Sequence, residues 1–223
     1  DLVTWTELPV AIEHGVAADG TSIEGIFSGS AVVDVDDTAG FRTSPDGPAP
    51  LVAVYTSAHT PEHPTLPGIQ AQSVAYSLDG GVTWLRHAGN PVLDRGSADF
   101  RDPKVFRYDG SAGSYWVMVA GEALDRKVVL YRSDNLRDWT YLSEFGPANA
   151  TGGIWECPDL FELAVDGDPS TTRWVLIVNL NPGGVAGGSA GQYFVGDFDG
   201  VTFRSESTVP AEPSLTIAAR DEL

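Results

Sequence analysis

FRDPKVF at residues 100–106 and WECPDLF at residues 155–161 run in one order: an aromatic, a charged residue, a second polar residue, a proline, then an apolar close. A third copy, FSGSAVV at residues 27–33, keeps the aromatic opening and the apolar close without the charges. A motif that returns after long gaps marks a repeat, and the residues downstream of each copy show the unit that is repeated. Each copy leads four runs rich in Val, Tyr, Phe and Trp, split by Gly, Pro, Asp and Asn. They fall at residues 30–35, 51–55, 72–77 and 83–87; at 103–108, 115–120, 127–133 and 139–142; and at 158–163, 174–179, 192–197 and 202–205. Short runs bounded by turn residues read as strands. No long stretch holds apolar residues at helical spacing, and the Pro-rich segments at 45–50 and 61–67 read as loops. The third and fourth runs are joined each time by a related turn, SLDGGVTW (77–84), SDNLRDW (133–139) and DFDGVTF (197–203), where Asp or Gly with Asp serves the hairpin and an aromatic follows.

The class is therefore all-β, and four antiparallel strands per unit describe the blades of a propeller. The blades span residues 27–88, 100–145 and 155–206. Residues 1–10, DLVTWTELPV, match the closing strand of a blade as seen in LRDWTYLSEF (136–145). The whole of residues 1–223 thus reads as part of a propeller, three blades plus one closing strand.

Composition narrows the partners. The formal net charge is −18 and the lysines are Lys104 and Lys127, which leaves no basic stripe for phosphates. Nucleic acid and anionic membrane surfaces are excluded as partners on that ground, and a neutral or cationic ligand is favoured. The apolar runs are far shorter than the ~20 residues a helical membrane span needs. No signal peptide is readable at the N-terminus. Cys157 is the single cysteine, so no internal disulfide forms within these residues.

In a propeller the first strand of every blade lines the central channel, so matched positions converge on the axis. Aligned on their leading aromatics, the three copies make Ser28, Arg101 and Glu156 equivalent, and Gly29, Asp102 and Cys157 equivalent at the next position. An isolated RDP or ECP tripeptide is more often a solvated loop end; matched repeat positions beside bulky aromatics reverse those odds. One guanidinium and two carboxyls then share a pocket. Such a carboxyl pair suits glycoside hydrolysis, in which one acid protonates the leaving oxygen and a second carboxylate attacks or activates water.

These motifs, together with QAQSVAYSLDGGVTW (70–84) and NPGGVAGGSAGQYFVGDFDG (181–200), resemble family 32 of the glycoside hydrolases, the levanases, inulinases and invertases. The resemblance covers nearly the whole chain. It implies a five-bladed β-propeller that cleaves β-fructofuranosidic bonds with retention, on fructans or sucrose, without a cofactor or metal. It implies that Glu156 is the general acid/base, that Asp102 stabilises the transition state with Arg101 beside it, and that Phe27 and Ser28 line the pocket. The family's nucleophile is the Asp of a Trp-Met-Asn-Asp-Pro-Asn-Gly stretch, and no such stretch occurs here. The expectation is a piece lacking that motif, inactive by itself, whose ring is closed by missing blades or another chain. A secreted or extracellular setting is expected. Two other readings stay open: a non-catalytic fructan-binding propeller, and a related propeller glycosidase acting on arabinans or xylans.

Other features carry less. Pro61 and Pro64 forbid the helix that would make His59 and His63 metal ligands, so both read as loop residues. DVDDTAG (34–40) lacks the Gly and Glu of a calcium loop and reads as a solvated hairpin end. The glycines at 183–191 fit no phosphate-binding pattern and read as a tight turn near the ligand. No histidine lies near Cys157 in sequence, so it reads as a pocket-rim thiol rather than a nucleophile. Of the tryptophans, Trp84, Trp116, Trp139 and Trp174 read as core, and Trp155 as the one that stacks on a sugar.

Overall fold

The computed structural model describes residues 3–111, 113–184 and 187–206. The fold is all-β, in three antiparallel sheets. The first sheet runs β1 (Gly15–Val16), β2 (Ser22–Val33), β3 (Leu51–His59), β4 (Gln70–Ser77), β5 (Leu85–Arg86), in that order. The second runs β6 (Phe100–Gly110), β7 (Gly113–Glu122), β8 (Lys127–Ser133), β9 (Thr140–Phe145). The third runs β10 (Ile154–Val165), β11 (Asp168–Asn181), β12 (Ala190–Phe198), β13 (Phe203–Ser205). Each sheet is thus a meander of consecutive neighbours, an arrangement consistent with part of a propeller.

The second sheet is buried on both faces, which explains why β7 and β8 read as unbroken apolar runs. Successive side chains of a strand point to opposite faces. Trp116, Met118 and Ala120 of β7, with Val129 and Tyr131 of β8, join Val52, Val54 and Val74 in a core against the first sheet. Val117, Val119, Val128 and Leu130 turn the other way, into a core with Leu160, Leu176, Val178 and Phe194 of the third. Hydrogen bonds stitch neighbouring sheets as well. Ser30 Oγ accepts from the Val105 amide at 2.9 Å, Trp116 Nε1 donates to Thr38 Oγ1 at 2.8 Å, and the Tyr115 hydroxyl donates to the Gly200 carbonyl at 2.8 Å.

The turns follow the chemistry expected of them. Asp79, Asn135 and Asp199 each accept backbone N–H groups two to four residues ahead, closing the hairpins between third and fourth strands. Asp166 and Gly167 both hold positive φ, 50° and 76°, the pattern of a type I′ turn between β10 and β11.

Several expectations need correction. Strands begin earlier than their apolar runs: Phe27, Phe100 and Trp155 lie within β2, β6 and β10, because the polar residues around them still pair with the next strand. Residues 3–10 carry no strand, so the closing strand expected at 1–10 is not formed among the described residues; a strand exists only through a hydrogen-bonded neighbour. His59 is the last residue of β3 rather than a loop residue, its ring packed edge-on against His63 at 4.3 Å. The hairpin end at DVDDTAG is not solvated throughout: Asp34 is fully buried, accepting from the Thr38 and Ala39 amides and the Thr38 hydroxyl.

Candidate active site

The inner strands β2, β6 and β10 share a defect. Pairing with the next strand steps between Phe27 and Gly29, between Arg101 and Lys104, and between Glu156 and Asp159. In each case two residues oppose one: Ser28 and Gly29 face Tyr55, Asp102 and Pro103 face Ala120, Cys157 and Pro158 face Val178. A β-bulge of this kind bends the strand and re-aims side chains, as at many active sites. Asp102 and Cys157 take the left-handed conformation, φ 61° and 47°.

The bulges give a repeat alignment different from the sequence one. Phe27, Arg101 and Glu156 pair with Thr56, Gly121 and Asn179, and three residues on, beyond the bulges, Ser30, Lys104 and Asp159 pair with Val54, Val119 and Ile177. By register, therefore, Phe27 matches Arg101 and Glu156, and Ser28 matches Asp102 and Cys157. The leading aromatics Phe100 and Trp155 match Ile26 instead. Hydrogen bonding, which fixes which face a residue takes, overrules the resemblance of side chains.

That one-residue difference decides the roles. Phe100 and Trp155 face the preceding sheet and are buried, 0% and 1% exposed. The Trp155 indole donates to the Ala150 carbonyl at 3.0 Å and packs on Phe194, so the sugar-stacking role expected of it is withdrawn. Phe27 is 48% exposed and lines a cavity of about 540 Å³ with Ser28, Gln70, Arg101, Asp102, Glu156 and Cys157.

The charged groups hold one another across sheets. Arg101 donates from Nε and Nη2 to Glu156 Oε1 at 3.2 and 3.1 Å, and from Nη1 to Gln70 Oε1 and Asp99 Oδ1, both at 3.2 Å. Asn181 Nδ2 donates to Glu156 Oε2 at 3.1 Å, in a smaller cavity shared with Asn179 and Ser189. Sequence reading missed Gln70 and Asn181, whose roles appear only across strands, and Asp99, two residues before Arg101 in the chain. The Asp102 carboxylate accepts from the Cys157 amide at 2.9 Å and faces the Cys157 thiol at 3.6 Å. Burial first, and the Asp102 carboxylate second, push the Cys157 thiol up from its ordinary value, which keeps it protonated and a poor nucleophile. Among the described residues no group of three or more His, Cys, Asp or Glu is placed to hold a metal ion.

The arrangement offers an acid held at both oxygens, a second carboxylate fixed by a backbone amide, a guanidinium between strands and an exposed ring at the rim. A family model described as the glycosyl hydrolases family 32 N-terminal domain matches residues 1–214. A levanase of Bacillus subtilis is 50% identical over 209 residues, covering 93% of this chain and 28% of that protein. An extracellular exo-inulinase of Aspergillus awamori is 48% identical over 225 residues, 93% of this chain and 40% of that one. The crystal structure of an exo-inulinase from the same organism superposes with a TM-score of 0.83 at 44% identity, over 92% of this chain and 42% of that one. A fructofuranosidase of Schwanniomyces occidentalis, solved with fructose, gives a TM-score of 0.79 at 40% identity, over 93% of this chain and 38% of that one. The chain spans well under half the length of these relatives.

Proposed function

Since the chain belongs to family 32 of the glycosyl hydrolases, we propose that it forms the middle of a five-bladed propeller that cleaves β-fructofuranosidic bonds in fructans or sucrose, with retention of configuration. The observation that carries this reading is the meeting of Asp102 and Glu156, from two different sheets, in the cavity that Phe27 borders. In the proposed reaction Glu156 protonates the leaving oxygen and, in the second half, takes a proton from the attacking water. Arg101 and Asn181 aim its carboxyl group. Asp102, with Oδ2 engaged by the Cys157 amide, offers Oδ1 to hydroxyls of the fructosyl ring, where its charge counts most as positive charge builds at the anomeric carbon. Phe27 and Ser28 border the sugar.

Retention requires a second carboxylate as nucleophile, about 5 Å from the acid. Among the described residues, the carboxylates that line the cavity are Asp102 and Glu156. We assign the nucleophile to a segment outside these 223 residues, on a neighbouring blade of the longer protein. The relative named as an extracellular exo-inulinase supports an extracellular setting for that protein.

The test is to incubate the full-length protein with sucrose, inulin and levan and follow the products by NMR. β-Fructofuranose as the first product supports the reading, and α-fructofuranose overturns retention. Binding of inulin or levan without release of fructose would instead favour a non-catalytic fructan-binding propeller.

A further inference from the structure

Behind the cavity wall lies a polar network that faces no ligand. Thr56 on β3 and Gln72 on β4 are fully buried, and neither borders the cavity. The Asp102 backbone amide donates to Thr56 Oγ1 at 3.0 Å. The Thr56 hydroxyl has acceptors in Gln72 Oε1 at 3.1 Å and the Ser28 carbonyl at 3.2 Å. Gln72 Nε2 donates to the Phe100 carbonyl at 2.9 Å, which fixes which way the Gln72 amide points. One hydroxyl hydrogen serves either acceptor and leaves a lone pair for Asp102 in both cases. The network therefore joins the bulge of β2 to the bulge of β6 through the two strands behind them.

We infer that Thr56, held by Gln72, is a positioning residue that locks the β6 bulge and so sets the Asp102 carboxylate against Cys157 and the cavity. The need for a lock is visible in the backbone. A non-glycine residue at φ 61° is held in a sparsely populated region and persists only where its surroundings over-determine it. Asp102 is fastened at two points, its amide by Thr56 and its carboxylate by the Cys157 amide. Removing the first leaves a buried N–H without a partner and frees the bulge to relax. Thr56 does not border the cavity and acts through the backbone of Asp102, with the Ser28 carbonyl as a second contact.

The role in turnover rests on the proposed function, so the experiment reads activity and geometry separately, on the full-length protein. Thr56→Val keeps the shape and removes the hydroxyl; Thr56→Ser keeps the hydroxyl. Thr56→Val is expected to lower kcat on a fructoside about tenfold, with KM changed much less, and Thr56→Ser to restore most of it. The second readout is the pH profile of Cys157 alkylation by iodoacetamide, followed on the Cys157 peptide by mass spectrometry. The thiol is raised by burial and by the facing carboxylates of Asp102 and Glu156. If Asp102 drifts away, the profile moves to lower pH in Thr56→Val and stays in place in Thr56→Ser. If Thr56→Val does not fold, Thr56→Ala is measured the same way. A thiol shift in a protein that releases no fructose supports the positioning role and sinks the proposed function. An active protein in which Thr56→Val leaves either kcat or the thiol profile at the wild-type value overturns the positioning role.

Discussion

At the residue scale, two carboxylates are assigned different work, and the kinetics of their amides separate them. Glu156→Gln removes the proton donor, and in the full-length protein kcat should fall about 1,000-fold while fructosides still bind. A loss below tenfold would remove Glu156 from the proton transfers. Asp102→Asn keeps the shape but not the charge, so kcat should fall about 100-fold with a much smaller rise in KM. A pure KM effect would make Asp102 a binding residue. Both residues were legible in RDP and ECP, because charged residues beside buried aromatics in a repeat demand an explanation. The partners that hold them were not: Gln70 and Asn181 sit on other strands, and nothing local in sequence ties them to Arg101 or Glu156.

At the element scale, the hairpin turns contribute stability that depends on pH. Asp79 accepts from the Thr83 hydroxyl and amide and from the Ser77 hydroxyl, which lower its pKa from 3.8 to about 2. A depressed carboxylate stabilises the fold fully above its unfolded value of 3.8 and loses that contribution as pH falls through about 2. Asp79→Ala should therefore lower Tm at pH 7, and the gap to wild type should close as pH approaches 2. An unchanging gap between pH 7 and pH 2 would show that the turn, not the charge, sets the difference. These turns were readable because Asp, Asn and Gly act locally. Strand starts were not, since pairing extends into polar residues such as those of β11 from Asp168.

At the scale of the whole molecule, the second sheet is covered on both faces while the third keeps an open one. Leu163 and Tyr193 of the third sheet are 52% and 47% exposed, on the face turned from the second sheet, and Val33 of the first is 52% exposed. Apolar side chains on an open sheet face suit a further packed layer. With the nucleophile assigned to a neighbouring blade, the 223-residue chain by itself should release no fructose from sucrose, inulin or levan. It should also bind a hydrophobic dye more strongly than the full-length protein does. Fructose release by the short chain at the rate of the long one would overturn the assignment of the nucleophile.

The sequence by itself determined the all-β class, the three units and the charged residues of the site, because alternation, turn chemistry and repetition act over short distances. Only the tertiary structure decided which repeated residues are equivalent. The bulges at Ser28, Asp102 and Cys157 shift each strand's register where it reaches the cavity. A shift of one residue turns a side chain from one face to the other. That is why Phe27 borders the cavity while Trp155, its match by eye, lies in the core between two sheets.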